Sequence, residues 1–163
     1  MPTPISFFRR GVTRVFFVPT VTVAAPTAVQ VNAGTELTTA GNLNDLQGAS
    51  YTNQPIAVPD WSDNFDGKIV GIDQSADIVL HFYEKKGTAP ANPLRTTLAK
   101  GIVGNIVIFP AGCAGATPAA GDICDVFPGS SSGPARDFSG TEAAKWHVTF
   151  PASVRPTQDV ALA

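Results

Sequence analysis

The most regular pattern in the chain runs through Asp77-Ile-Val-Leu-His-Phe-Tyr-Glu84, where Ile78, Leu80 and Phe82 alternate with Asp77, Val79, His81 and Tyr83. A period of two sends the first set to a core and the second to the opposite face of a half-buried strand. Lys145-Trp-His-Val-Thr-Phe150 repeats it, with Trp146, Val148 and Phe150 sharing a face. Thr13-Arg-Val-Phe-Phe-Val-Pro19 is rich in β-branched and aromatic residues and stops at a proline, which predicts a first strand. Ile102–Phe109 predicts another, ending at Pro110-Ala-Gly112. Asp122–Phe127 and Ala49–Val58 complete the set, the latter broken by Pro55.

The remaining segments read differently. Pro93–Lys100 is the one helix expected, with proline in its first turn and Gly101 at its stop. In Thr35–Leu46 the leucines at 37, 43 and 46 miss helical spacing and Gly41 interrupts, so a loop with one short turn is expected. Pro59–Gly71 predicts a polar loop anchored by Trp61 and Phe65, and Gly129–Pro134 a flexible connection. Asp159–Ala163 reads as a last short strand or an arm. Strands in runs, without alternating helices, argue for a mainly β fold: an antiparallel sandwich or barrel with one short helix, a long loop and extended N- and C-terminal arms. The expected organisation is a single domain over 1–163, with an arm at 1–11, a β core at 12–150 whose long loop spans about 34–71, and an extension at 151–163.

Composition narrows the function. The chain has 163 residues, a net charge of −2 and only 15% charged residues. Ordinary soluble domains carry about 25% charged residues, so some apolar surface is expected to meet other chains. Near-zero charge excludes a cationic protein that lives on phosphate contacts. No apolar run is long enough for a membrane span, and arginines at 9, 10 and 14 interrupt the only candidate for a leader, so synthesis in the cytoplasm is expected. Two cysteines, Cys113 and Cys124, are expected to be free thiols.

No catalytic, cofactor or metal constellation emerges. His81 and His147 stand on polar strand faces without ligand spacing around them. The aspartates of Asp60-Trp-Ser-Asp-Asn-Phe-Asp66 lack the two-residue spacing and terminal glutamate of a calcium loop. Gly129-Ser-Ser-Ser-Gly133 imitates a nucleophile elbow only in composition, and no glycine-rich segment leads into the Lys-Ser/Thr of a phosphate loop. The residues singled out are instead candidate subunit contacts: Phe7, Phe8, Arg9, Arg10, Trp61 and Phe65, aromatic and basic groups in segments with little core of their own.

The order of these pieces resembles the major tail tube proteins of long non-contractile-tailed bacteriophages. The resemblance is carried by the arginine-rich opening before Val15-Phe-Phe-Val18, by Ala33-Gly-Thr-Glu-Leu37 leading to Leu43-Asn-Asp-Leu46, and by Asn64-Phe-Asp-Gly-Lys-Ile-Val-Gly71. It continues through His81-Phe-Tyr-Glu84, Leu94-Arg-Thr-Thr-Leu98, Gly104-Asn-Ile-Val-Ile-Phe109, Asp125-Val-Phe-Pro128 and Trp146-His-Val-Thr-Phe150. It implies a non-enzymatic virion protein, built in the host cytoplasm, whose rings, typically hexameric, stack into the tube through which DNA leaves. Its implied partners are copies of itself and the tail tip, tape-measure and tail terminator proteins. Double-stranded DNA would pass without specific binding, and no membrane or cofactor is involved. A passage for phosphates should be neutral or acidic, and Asp77 and Asp125 are the candidates to face it.

Two other functions fit the same β pattern. A carbohydrate-binding module would use Trp61 and Tyr51 as a stacking platform, and a head–tail joining or decoration protein would share the structural class.

Overall fold

The computed structural model describes residues 11–58, 67–84, 93–138 and 140–163. Eleven strands and three short helices follow one another as β1 (Arg14–Val18), α1 (Ala28–Asn32), β2 (Thr35–Glu36), α2 (Leu37–Ala40), β3 (Leu43–Gln47), β4 (Tyr51–Val58), β5 (Gly67–Ser75), β6 (Ile78–Tyr83), α3 (Pro93–Thr97), β7 (Val103–Phe109), β8 (Ile123–Ser130), β9 (Ala135–Asp137), β10 (Lys145–Phe150) and β11 (Thr157–Ala161). All pairings are antiparallel. One sheet has five strands in the order β11-β8-β7-β1-β2, and a second has four in the order β3-β6-β10-β9. Among the described residues, strands β4 and β5 pair only with each other.

The alternating patterns explain why the two larger sheets face each other. Ile78, Leu80 and Phe82 of β6 and Trp146, Val148 and Phe150 of β10 meet Val15, Phe17, Ile106, Ile108 and Phe127 of the five-stranded sheet in one buried core. Phe82 stacks on Trp146 with centroids 4.4 Å apart, and Phe17 reaches across to Phe150 at 5.9 Å. Leu37, Leu94 and Leu98 close the ends of this core. Each such side chain taken out of water contributes about 1.5–3 kcal/mol before the entropy cost of ordering the chain.

The five-stranded sheet is buried on its other face too. Phe16, Val18, Val107, Phe109, Cys124 and Val126 form a second core under Val31 of α1 and Leu162. Strand β7 is therefore apolar almost throughout, as a strand covered on both sides must be.

Helix α1 is an element that the hydrophobic pattern does not predict. Its start is fixed by a reciprocal cap: the Gln30 amide N–H donates to Thr27 Oγ1, and the Thr27 N–H donates to Gln30 Oε1. Five residues of helix then suffice to set Val31 into the second core. Three further segments differ from the sequence expectations; the first, Thr35–Leu46, expected as a loop with one short turn, holds β2, α2 and most of β3. Residues 67–71, expected in a polar loop, begin β5. The Ser/Gly connection after Phe127 is held rather than loose: β8 runs on to Ser130, and buried Ser131 donates its hydroxyl to the Leu98 carbonyl at 2.7 Å. Of the two alternatives for Asp159–Ala163, strand or arm, the structure shows a strand: β11 pairs with β8, and Leu162 beyond it is buried. Pro128 is tolerated in β8 because β11 pairs no further along it than Val126, so no ladder donor is needed there.

Candidate functional site

No described residues form a reaction centre; the unusual features are surfaces. The first is the β4–β5 hairpin. Tyr51 pairs with Ser75 at its root and Val58 with Gly67 at its far end, a ladder interrupted by a register shift between Gln54 and Ile56. Pro55 lies inside that shift, since it cannot donate to a ladder. The partner strand accommodates it at Gly71, where a Cβ would lie 1.9 Å from the Gln54 carbonyl oxygen. Asn53 spans the irregularity, its amide bonded to both the Gly71 carbonyl and the Asp73 carboxylate.

Along this hairpin Ile56, Val58, Ile69, Val70 and Ile72 are all exposed, Val70 by 85% and Ile72 by 77%. An isolated two-stranded ribbon is marginal in water, and such a concentration of surface aliphatics is a mark of a docking surface. Among the described residues its root is fastened to the body: Arg155 pairs with Asp73 at 2.9 Å and lies over the Tyr51 ring at 5.8 Å.

The second surface belongs to the four-stranded sheet. Its core face is covered by the five-stranded sheet, while Gln47, Val79, His81, Tyr83, Lys145, His147 and Thr149 occupy the face turned away. Its border strands β3 and β9 each pair on one side only among the described residues. Phe138, next to the end of β9, is 92% exposed. Border strands with free backbone groups are templates for pairing with another chain.

A cleft of about 480 Å³ opens where β3 meets β1 and β7, lined by Val15, Leu43, Leu46, Ala49, Ile108 and Asp125 among others. Asp125 is therefore not on an outward polar face. It is half-buried at the mouth between the sheets, and its carboxylate accepts the Asp159 N–H at 2.9 Å. Asp77 is exposed, just before β6. The two acidic candidates are thus apart in the fold, Asp125 on β8 of the five-stranded sheet and Asp77 outside any strand. Phe7, Phe8, Arg9, Arg10, Trp61 and Phe65 lie outside the described residues.

The sequence reading missed the hairpin aliphatics and Phe138. Lys68-Ile-Val-Gly-Ile-Asp73 carried the strand signal, but Gly71 and the preceding Asp66-Gly67 turn disguised it. Cys113 and Cys124 are free thiols in and beside the second core. Burial pushes the Cys124 thiol up to about 12 and raises that of Cys113 as well. Neither is poised as a nucleophile.

A two-sheet body with an unpartnered aliphatic ribbon and open sheet borders defines an assembling structural protein. Comparison with known proteins gives that class its family. The chain matches the phage tail tube protein family over residues 1–163 and belongs to it; it is a structural protein of the tail, not an enzyme. No curated protein matches it in sequence.

Among solved structures, a chain of the PVC sheath–tube complex, an extracellular contractile injection system in its extended state, is 16% identical. The match covers 98% of this chain and 93% of that one, with a TM-score of 0.59. A chain of the anti-feeding prophage baseplate, solved with six-fold symmetry imposed, is 12% identical over 97% of this chain and 98% of that one, with a TM-score of 0.56. The antiparallel β fold with few short helices is thus that of chains in tail-like injection machines.

Proposed function

We propose that copies of this chain close head-to-tail into a ring through the borders of the four-stranded sheet, and that rings stack through the β4–β5 hairpin into the tail tube. One observation carries the reading: among the described residues the four-stranded sheet has both border strands and one whole face unoccupied, while the five-stranded sheet, also open at its borders, is covered on both faces. Of the two, the former has a face left to line a water-filled passage. Joining β9 of one copy to β3 of the next uses different patches on the two sides, a head-to-tail contact that closes if the rotation permits. Six copies of a four-stranded sheet would give a wall of about 24 strands. At about 4.8 Å per strand that wall is roughly 37 Å across before tilt widens it, enough for a DNA duplex. The six-fold symmetry of the anti-feeding prophage baseplate supports this number.

The wall would present the polar face of β3, β6, β10 and β9 to the passage. Lys145 there is tied to Glu142 at 2.9 Å, so among the described residues of that face no row of free cations stands ready to hold phosphate. Asp77, exposed beside β6, is retained as the acidic group at the rim; Asp125 is better placed as a support for β11. The arm at 1–11 and the segment holding Trp61 and Phe65 are proposed as further subunit contacts. Tail tip, tape-measure and terminator proteins would bind the ends of the stack, and assembly would take place in the host cytoplasm. For the tail class we keep the long non-contractile one of the sequence resemblance. Tails isolated with this protein should then show a bare tube, and a surrounding sheath would assign the chain to the contractile class.

The stacking role is tested by replacing Val70 and Ile72 with serine. Exposed positions of this kind change the stability of the single chain by less than about 0.5 kcal/mol. Sedimentation velocity should show the variant arrested at single rings or below, while the unaltered protein forms longer particles. Assembly indistinguishable from the unaltered protein would remove the hairpin from the account. The carbohydrate-binding alternative loses one side of its platform, because Arg155 already covers the Tyr51 ring.

A further inference from the structure

His81 of β6 and His147 of β10 are directly opposed across the strand pair, with ring centroids 5.5 Å apart. Asp137 of β9 is opposite Lys145, which sets its side chain diagonally beside His147. Its carboxylate divides between the two rings: Oδ1 lies 2.7 Å from His147 Nδ1, and Oδ2 lies 3.7 Å from His81 Nδ1. The three prospective ligand atoms all lie within 4.8 Å of one another, and all three side chains are half-buried.

We propose that this trio is a binding site for a divalent transition-metal ion of the zinc class, held by the two Nδ1 atoms and one Asp137 oxygen, with water completing the shell. Two imidazoles and a carboxylate form a ligand set that suits zinc and its neighbours, and three protein ligands leave the position that a water takes. In a tetrahedral zinc site, ligand atoms about 2.0–2.1 Å from the metal stand about 3.4 Å from each other. The 2.7 and 3.7 Å separations, made to the two different oxygens of Asp137, lie on either side of that value, and no pair in the trio exceeds 4.8 Å, so a turn of the carboxylate with rotamer adjustments of about 1 Å would form the shell.

The framework is as important as the ligands. Three neighbouring strands of one sheet supply one residue each, so the backbone fixes the set before any ion arrives. Nothing in the core requires these residues: the opposite face of the same strands already holds Trp146 and Phe82. Nearby charges are engaged elsewhere. Asp45, opposite His81 on β3, accepts the Leu46 N–H and the Gln47 amide, and Lys145 is paired with Glu142. Binding would replace the His147–Asp137 hydrogen bond by bonds from both groups to the metal. The inference concerns one chain's own sheet and stands whether or not the ring does.

The test uses the full chain, freed of metal by a chelator, titrated with zinc by calorimetry and with cobalt by visible absorption. The site predicts one ion per chain at micromolar concentration, a zinc-dependent rise in Tm, and a cobalt band of low-coordinate type. His147→Gln and Asp137→Asn should each weaken zinc binding by more than about tenfold while leaving the metal-free Tm within a few degrees. His81→Gln provides a third variant if either of these does not fold. No saturable binding to the unaltered protein, or binding that survives His147→Gln unchanged, overturns the proposal.

Discussion

Arg14 and Glu36 face each other across β1 and β2 as a two-bonded fork, Nε to Oε1 at 3.0 Å and Nη2 to Oε2 at 2.8 Å. The third guanidinium nitrogen donates to the Ala116 carbonyl, which ties the loop after β7 to the same arginine. Thr38 and Thr39 add hydroxyl donors to Glu36 Oε1. A two-residue strand such as β2 has few ladder bonds, so this charged junction does much to fix its register.

The junction predicts a pH dependence. Hydrogen bonding from Arg14 holds the Glu36 carboxyl below its ordinary value of 4.5. A carboxyl whose folded value is depressed contributes stability that is fully present above the unfolded value and is lost as pH falls through the folded one. Arg14→Ala should therefore cost about 1–3 kcal/mol at pH 7, and the difference from the unaltered protein should shrink below about pH 4.5. Arg14→Lys should recover only part, because a lysine cannot form the fork. Urea unfolding at pH 7, 5 and 3 measures this; a deficit that does not vary with pH would exclude the fork as its source.

Two glycines, one at the hairpin's root and one inside it, allow the body and the hairpin to be perturbed separately. At Gly48, φ is +76° and a Cβ would lie 1.9 Å from the Asp77 carbonyl oxygen, in the turn that leads β3 away from the body. At Gly71 the obstacle is the Gln54 carbonyl in the hairpin itself. Gly48→Ala should lower whole-chain stability by about 1–3 kcal/mol. Gly71→Ala should leave the main unfolding transition nearly intact and impair assembly, because among the described residues the hairpin's strands pair with no strand of the body. Thermal unfolding and particle size, measured on both variants, should dissociate in this way; equal losses of stability would show that the hairpin folds as part of the core.

The thiols give a third expectation. With Cys124 buried and its thiol pushed up to about 12, a disulfide reagent at pH 8 should leave it unreacted in the native protein. Cys113, half-buried and also raised, should react slowly. Both should react at once in denaturant. Two fast equivalents without denaturant would mean that the second core opens readily.

Much of the body was legible because half-buried antiparallel strands write their burial into alternate residues. The patterns at Ile78–Phe82 and Trp146–Phe150 identified the inter-sheet core, and the apolar run before Phe109 marked a central strand. Helix α1 was not legible: five residues carry no periodicity, and its evidence is the Thr27–Gln30 cap. Strand β5 was hidden by Gly71, whose role is to admit the irregularity at Pro55. For assembly, sequence reasoning sought aromatics in irregular segments, whereas the exposed aliphatics sit on a regular ribbon that looks like any strand until its lack of a partner is seen. His81 and His147 could be placed on polar faces from spacing alone. Their meeting with Asp137 depends on the register of β9 against β10, which no local pattern encodes.

Purified full-length protein, concentrated and imaged by cryo-electron microscopy, gives the decisive view of the assembly. The account predicts stacked rings with a hollow axis, six-fold symmetry, the β3–β6–β10–β9 sheet continuous from copy to copy around the bore, and the β4–β5 hairpin between rings. Monomers at every concentration, or rings whose bore is lined by the five-stranded sheet, would contradict it.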